Sequence, residues 1–497
     1  MLINTPTLIR DLSNRMGEFD DSSCFDYRNS RIVDIVRNIF NAYDIVIKSF
    51  FCVSIMLAIS ISLGASVPLS EWSISAGGRN KDFLHSSAVD SNGNLYVSGE
   101  IRGSASFGST LLDSPQFLGM FLSKITPNGE LLWSIQPGGE YSGVITKIEI
   151  DKDDNIVCTG SYGGSAIFGN TVLDTNGMDY DGIFVAKLDG NGVWLWAKHV
   201  ASYYSLPTLC LLSVDDSCNV YLSGELIATQ EFGTTTLNKD TELKETFIAK
   251  MDKNGNWLWA IKNTTPATLY CMATDQDSNV YVAGSYVNTS FEASDLYEAL
   301  FGSEDFYIAK YNSNADLIKV FAFGSPGFDY IRGLAIDSAS NVYMIGTTSG
   351  EIRFGDILLS SDGYREVFVS KMNCNGDFLW ATRPGGPNAR TGKGIAVDEY
   401  GSAYIVGSFY DEAKFGTSSV FSNGEEDGFI AKLDSHGNWL WGESIGGQDN
   451  DWCTTIAISK NNDIYVGGVF YDSVAIDDAI HSSSGDSDII VLKLLLE

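Results

Sequence analysis

Three aspartates and one arginine occupy the same place in a repeating sequence. They are Asp82, Asp329 and Asp451, with Arg390 at the equivalent position of another copy. Each lies eight residues before the end of a short apolar segment. The loops that carry them change from copy to copy: GGRNKDF (77–83), GGEYSGV (138–144), ASYYSLP (201–207), GSPGFDY (324–330), GGPNART (385–391) and GGQDNDW (446–452). Phe83, Tyr203, Tyr330 and Trp452 stand in these loops, and Trp452 is the only tryptophan outside the aromatic motif of the repeat. Carboxylates and a guanidinium beside aromatic rings could hydrogen-bond and stack a sugar or a peptide ring. The architectural alternative is that the aspartates cap Gly-rich turns and the rings shield seams between repeats.

Catalysis finds less support. With 63 Asp and Glu in 497 residues, carboxylate pairs arise by number alone. A glycosidase or lyase resting on acids such as Asp82 and Asp451 therefore has no distinguishing spacing. No Gly-x-Ser-x-Gly, HExxH or phosphate-binding loop occurs. The four histidines (His85, His199, His436, His481) are not paired at ligand spacing and there is no CxxC, so no zinc site is expected. Asp151-Lys-Asp153-Asp-Asn155 carries part of a calcium loop's alternating oxygens, but it lacks the turn glycine and the terminal acid. An Asx turn explains the same letters. No catalytic residue, metal or cofactor is expected, and Cys158, Cys210, Cys218, Cys271, Cys374 and Cys453 read as buried free thiols.

The elements that would position such a site form one unit written seven times. A strand ends at Gly99, Gly160, Gly224, Gly284, Gly346, Gly407 and Gly468, at intervals of 60 to 64 residues. A lysine closes a second apolar stretch at Lys124, Lys187, Lys250, Lys310, Lys371, Lys432 and Lys493. Nine residues after it comes Trp133, Trp196, Trp259, Trp380 or Trp441; the fourth copy has Lys319 there, and Trp72 is the seventh member at the N-terminal edge. Each unit reads as four short β-strands joined by Asp/Asn/Gly turns, such as Asp90–Asn94 and Asp252–Asn256. Trp194, Trp257 and Trp439 precede a repeat tryptophan by two residues, which places them on its face of the strand. The recurring lysines are expected to meet the recurring Asp90, Asp151, Asp215, Asp275, Asp337 and Asp398.

Seven four-stranded units of about sixty residues predict an all-β fold, a seven-bladed β-propeller of four-stranded blades. The Trp72 strand would complete the last blade and close the ring. The motifs Ile395-Ala-Val-Asp398, Tyr404-Ile-Val-Gly407, Phe415-Gly416, Asp427-Gly-Phe-Ile-Ala-Lys-Leu-Asp434 and Gly437-Asn-Trp-Leu-Trp441 resemble the bacterial seven-bladed β-propeller repeat family, SBBP. Phe107-Gly108, Phe168-Gly169, Phe232-Gly233 and Phe354-Gly355 repeat the middle element, while the seventh copy has Ala475-Ile476. The resemblance covers 71–497. It implies an exported or cell-surface bacterial protein and supplies no catalytic residues.

The remaining chain divides into a polar tail, 1–48, and an uncharged run, 49–66, within a segment 49–70 that reads as a hydrophobic helix. The preferred reading of that segment is a cleaved signal peptide, with a true start near Val46; an uncleaved membrane anchor is the alternative. Nearly all of the net charge of −31 belongs to 71–497. That acidity excludes nucleic acid as a partner. The expected protein is a monomer that binds a protein, peptide or glycan without catalysis, and it touches a membrane only if 49–66 stays attached. A carbohydrate-active enzyme and a structural surface spacer are the rival readings.

Overall fold

The computed structural model describes residues 70–495 apart from 140–141, 176–180, 204–209, 242–243, 264–267, 287–304, 362–364 and 387. The polar tail and the apolar run 49–66 lie outside the described residues. Among the described residues, no helix is long and apolar enough to cross a membrane.

Strand periodicity is realised in antiparallel sheets: five of four strands, one of eight that unites strands from the two ends of the described chain, and three small ones of two or three strands. The second repeat shows the pattern: Gly143–Ile150, Ile156–Gly163, Asp181–Leu188 and Trp194–Tyr203 pair in chain order. The first strands of the seven repeats are Phe83–Val89, Gly143–Ile150, Leu211–Val214, Thr268–Thr274, Tyr330–Ile336, Ala389–Val397 and Trp452–Ile458. Each touches the first strand of the next repeat, and Trp452–Ile458 touches Phe83–Val89. The hydroxyls of Ser87 and Thr455, 2.7 Å apart, join these last two. Ser70–Gly78 pairs antiparallel with Ala479–Leu494, with Trp72 opposite Lys493.

Apolar side chains gather at the seams between consecutive sheets, so each sheet buries both faces. One cluster joins Val157 and Val185 to Val220 and Phe247; another joins Ala457 and Tyr465 to Leu95 and Phe121, across the two ends of the chain. The repeat tryptophans cross these seams. The indole N–H of Trp72 donates to the Pro127 carbonyl at 2.9 Å, that of Trp196 to Lys253 at 3.1 Å, and that of Trp380 to Ser435 at 3.0 Å. The ring of Trp196 lies on Gly255 of the next sheet (φ +80°), where a Cβ would fall 2.9 Å from the indole. Both the positive φ and the close approach require glycine there.

The expected shared face for paired tryptophans is corrected by a bulge. Lys187 pairs with Trp196, but Leu188 pairs with Trp194, so Leu195 is skipped. The same shift skips Leu258 and Leu440. An extra residue turns the alternation over. Trp194, Trp257 and Trp439 therefore face back into their own repeats, edge-on to Phe168, Phe232 and Phe415 at ring distances of 4.9, 4.9 and 5.2 Å. Those phenylalanines belong to the Phe-Gly hairpins, whose glycines sit at positive φ. The skipped leucines are left 52%, 53% and 37% exposed.

Each recurring lysine enters a small network at its seam. Lys124, Lys187, Lys250, Lys310 and Lys371 lie 3.4, 2.5, 3.5, 3.4 and 3.3 Å from Asp90, Asp151, Asp215, Asp275 and Asp337. All of these ammonium groups except that of Lys187, whose strand partner is Val157, also stand over tyrosines of the second strands, as Lys371 over Tyr343 at 4.5 Å. Lys432 keeps the ring contact, 4.7 Å from Tyr404; burial holds it below the usual lysine range while Asp398 opposes the shift. In the last repeat Ser459 replaces the aspartate, and Lys493 reaches Asp463 at 3.1 Å and Glu71 of the N-terminal strand at 2.7 Å.

Candidate functional site

The aspartates singled out by spacing prove to be clamps between sheets. Asp82 is 0% exposed. Its Oδ2 accepts the Gly78 N–H at 2.7 Å and its Oδ1 the Arg102 N–H at 2.9 Å, while its own N–H donates to the Ser487 carbonyl. Asp451, 2% exposed, accepts from Gly447 and Tyr471 at 2.5 and 3.0 Å and donates to the Glu426 carbonyl. Asp329 accepts the N–H and hydroxyl of Ser325 and the Ser349 N–H. Each carboxylate thus ties the end of one sheet's fourth strand to the second strand of the following sheet. Burial pushes Asp82 up to about 6 and Asp451 up to about 7, and the neighbouring carboxylates of Asp488 and Asp427 add to the two shifts. Asp329 is raised by burial as well.

The preceding Gly-Gly pairs make room for these neighbours. A Cβ on Gly77 or Gly446 would fall 2.3 Å from the carboxyl carbon of Asp488 or Asp427. Among the described residues, one oxygen of each of these two carboxylates (Oδ1) is buried without a hydrogen-bond partner.

The other sequence candidates fall apart in space. Trp452 packs edge-on against Tyr471 at 5.7 Å, and Phe83 stacks on His85 at 6.4 Å. Tyr330 meets Tyr270 edge-on at 6.0 Å. Arg390 is the second residue of the strand Ala389–Val397 and Tyr203 ends Trp194–Tyr203; their side chains lie outside the described residues. At the calcium-like turn, Asp151 Oδ1 accepts the N–H groups of Asp153 and Asn155, and Lys187 holds Oδ2. Ligand atoms of Asp151, Asp153 and Cys218 come within 4.8 Å of one another, but the lysine already neutralises the buried carboxylate. The six cysteines among the described residues are free; Cys271 is only partly buried and Cys374 is exposed, rather than buried as expected.

Where the seven first strands meet, they enclose a cavity of about 230 Å³. Its wall includes His85, Thr146, Cys210, Tyr270, Arg332, Lys393 and Thr454. All seven stand at one position of the repeat, five residues before the turn residue Asp90, Asp151, Asp215, Asp275, Asp337, Asp398 or Ser459. In six of the strands this residue is skipped in the pairing, as His85 is between Leu84 and Ser86 and Arg332 between Ile331 and Gly333. A bulge re-aims the side chain it carries, here into the cavity. The sequence does carry a signal for these residues, a position that varies within an otherwise constant unit. The alternation rule hid it, because the bulge breaks the period of two.

The guanidinium of Arg332 lies 5.0 Å from the centre of the Tyr270 ring and 5.4 Å from that of Tyr330. His85 and Lys147 have acidic neighbours, Glu100 at 3.5 Å and Glu149 at 3.2 Å. Cys210 and Cys271 in the wall are both pushed up to about 12 by burial, so they remain protonated and poorly nucleophilic at neutral pH.

Residues 323–353 and 379–408 match the beta-propeller repeat family SBBP. An uncharacterized WD repeat-containing protein of Acanthamoeba polyphaga mimivirus is 23% identical over 71% of this chain and 32% of its own length. The regulatory protein FlaEY of Caulobacter vibrioides is 27% identical over 21% of this chain and 12% of its own length. The chain thus aligns with less than a third of either curated relative. Among solved structures, a PL25 ulvan lyase is similar with a TM-score of 0.45 at 11% identity, over 84% of this chain and 97% of that one. The Pan2 WD40 domain of Neurospora crassa gives 0.41 at 9%, over 84% and 89%.

Proposed function

We propose that the SBBP repeats form a seven-bladed β-propeller, closed by the Trp72 strand, that acts as a non-catalytic binding module with its ligand at the central cavity. One observation carries this reading. At a single register position the seven repeats present His, Thr, Cys, Tyr, Arg, Lys and Thr to one cavity, while the lysines, tyrosines and tryptophans of the frame recur. A repeating frame with a non-repeating wall is suited to one asymmetric ligand. The acids that an enzyme would need, Asp82 and Asp451, already accept backbone amides on both oxygens, and the wall thiols are protonated.

The partner in this reading is a protein, peptide or glycan bound by a monomer at the cell surface or outside the cell, with 49–66 removed on export. Glycan and peptide arrays probed with residues 70–497 test it. Capture of a ligand that is released by Tyr270→Ala but retained by Asp82→Ala supports the cavity. Release of a product from a glycan would replace the binding module by an enzyme, and an intact Met1 on membrane-bound protein would replace export with cleavage by anchoring.

A further inference from the structure

The cavity inverts the charge of the molecule around it. The chain carries 63 acidic and 32 basic residues, yet the cavity wall contains His85, Lys147, Arg332 and Lys393 and no Asp or Glu. Lys393 and Arg332 project from equivalent bulges of adjacent first strands. Neither has a carboxylate within ion-pair distance among the described residues. Lys393 is ringed by protein yet open to water through the cavity, and burial, with Arg332 beside it, holds its ammonium below the usual lysine range; Glu426 opposes that shift. Arg332 is seated over Tyr270, so its donors are held at the wall while its charge stays uncompensated. Two neighbouring cations with no carboxylate in ion-pair distance repel each other.

We propose that the cavity binds the oxyanion of a compact ligand (a carboxylate, phosphate or sulfate group), with Arg332 and Lys393 as its two cationic contacts. Resting on the binding-module reading above, this names the ligand's chemistry. A guanidinium offers paired donors to a planar or tetrahedral oxyanion, and an ammonium adds a point charge. The volume falls below the ~300 Å³ at which drug-sized pockets begin, so the anionic group enters on a ligand of about one ring. Tyr270, Thr146 and Thr454 complete the wall, the two threonine hydroxyls already donating to the carbonyls of Thr159 and Leu84.

Calorimetric titration of the full chain with inorganic phosphate, sulfate, glucuronate and glucose tests the proposal. Binding of at least one oxyanion is expected, weakening with added chloride, with glucose bound more weakly than glucuronate. Lys393→Gln and Arg332→Gln should each weaken it by about tenfold to a hundredfold, and Lys393→Arg should retain it. Lys414→Gln, on the exposed pair with Glu412, should leave it unchanged. Circular dichroism melts of each variant separate lost folding from lost binding. Failure of all three oxyanions to bind the wild type, or equal binding by both glutamine variants, overturns the anion site. If an array ligand is then still released by Tyr270→Ala, the binding module survives and this inference alone falls.

Discussion

The seams between sheets and the wall of the cavity are built from the same strands under opposite rules. From seam to seam the unit repeats itself: a lysine, over a tyrosine in every repeat but the second, most with an aspartate in reach, and an aromatic ring on the next turn. At the wall, one position changes in nearly every copy. Packing explains the first, because a buried cation must find an anion and a ring must fill a fixed gap wherever two sheets meet. Packing between sheets does not demand the second, since a side chain turned toward the cavity fills no fixed gap between two sheets. The freedom at the wall is therefore where function can be written.

Disturbing the seams should be far more damaging than disturbing the wall. The largest effect belongs to the N-terminal strand. A chain starting at Ser70 should melt as the full chain does, whereas one starting at Arg79 loses the partner of Ala479–Leu494 and the Glu71 contact of Lys493. Its melting temperature should fall by more than about 10 °C, in line with losing several buried aromatic and aliphatic side chains. Equal melting of the two chains would remove the basis for closure.

Single seam substitutions come next. Trp380→Ala should cost about 3–5 kcal/mol in denaturant unfolding. Lys187→Met leaves Asp151 buried without its cation and should cost about 3 kcal/mol. A loss below 1 kcal/mol for both would show that the repeated network is ornamental.

The clamps respond to pH with an unusual sign. Asp82 and Asp451 are raised from 3.8 to about 6 and about 7, so the folded state holds their protons more tightly than the unfolded chain does. Their contribution to stability is complete below pH 4 and is lost as pH rises through 6 to 7. The melting temperature should be a few degrees higher at pH 5 than at pH 8, and Asp451→Asn should flatten that difference. An unchanged pH profile in this variant would refute the assignment.

The smallest effect is expected at the wall. Lys393→Gln and Arg332→Gln should each change unfolding free energy by no more than about 0.5 kcal/mol, with a slight gain because a like-charge contact is relieved. A loss comparable to that of Trp380→Ala would mean that the wall, too, is architecture.

Much of this frame was legible in the residues. The Lys–Asp pairs, the tryptophans at the seams, the Asx turns and the pairing of Trp72 beside Lys493 all follow from spacing, because each is a local period repeated until only one arrangement satisfies it. The positions of Asp82, Asp329 and Asp451 were legible too, and so was the choice between capping a turn and touching a ligand. Burial and the amide partners assign them to the turns. What spacing misjudged was orientation. Leu195 and Arg332 each occupy a bulge, and a bulge reverses the inward and outward sense of everything beyond it.

By itself the sequence determined the unit, its number of copies and the residues that join one copy to the next, since these depend on contacts between neighbours along a regular period. Only the tertiary structure decided which side chains share the cavity. That outcome depends on how the first strands of the repeats pair and, in six of them, bulge, bringing residues hundreds of positions apart to the wall of one cavity. Arg332 and Lys393 become a cationic pair in an acidic molecule only there, where no acidic side chain lines the wall.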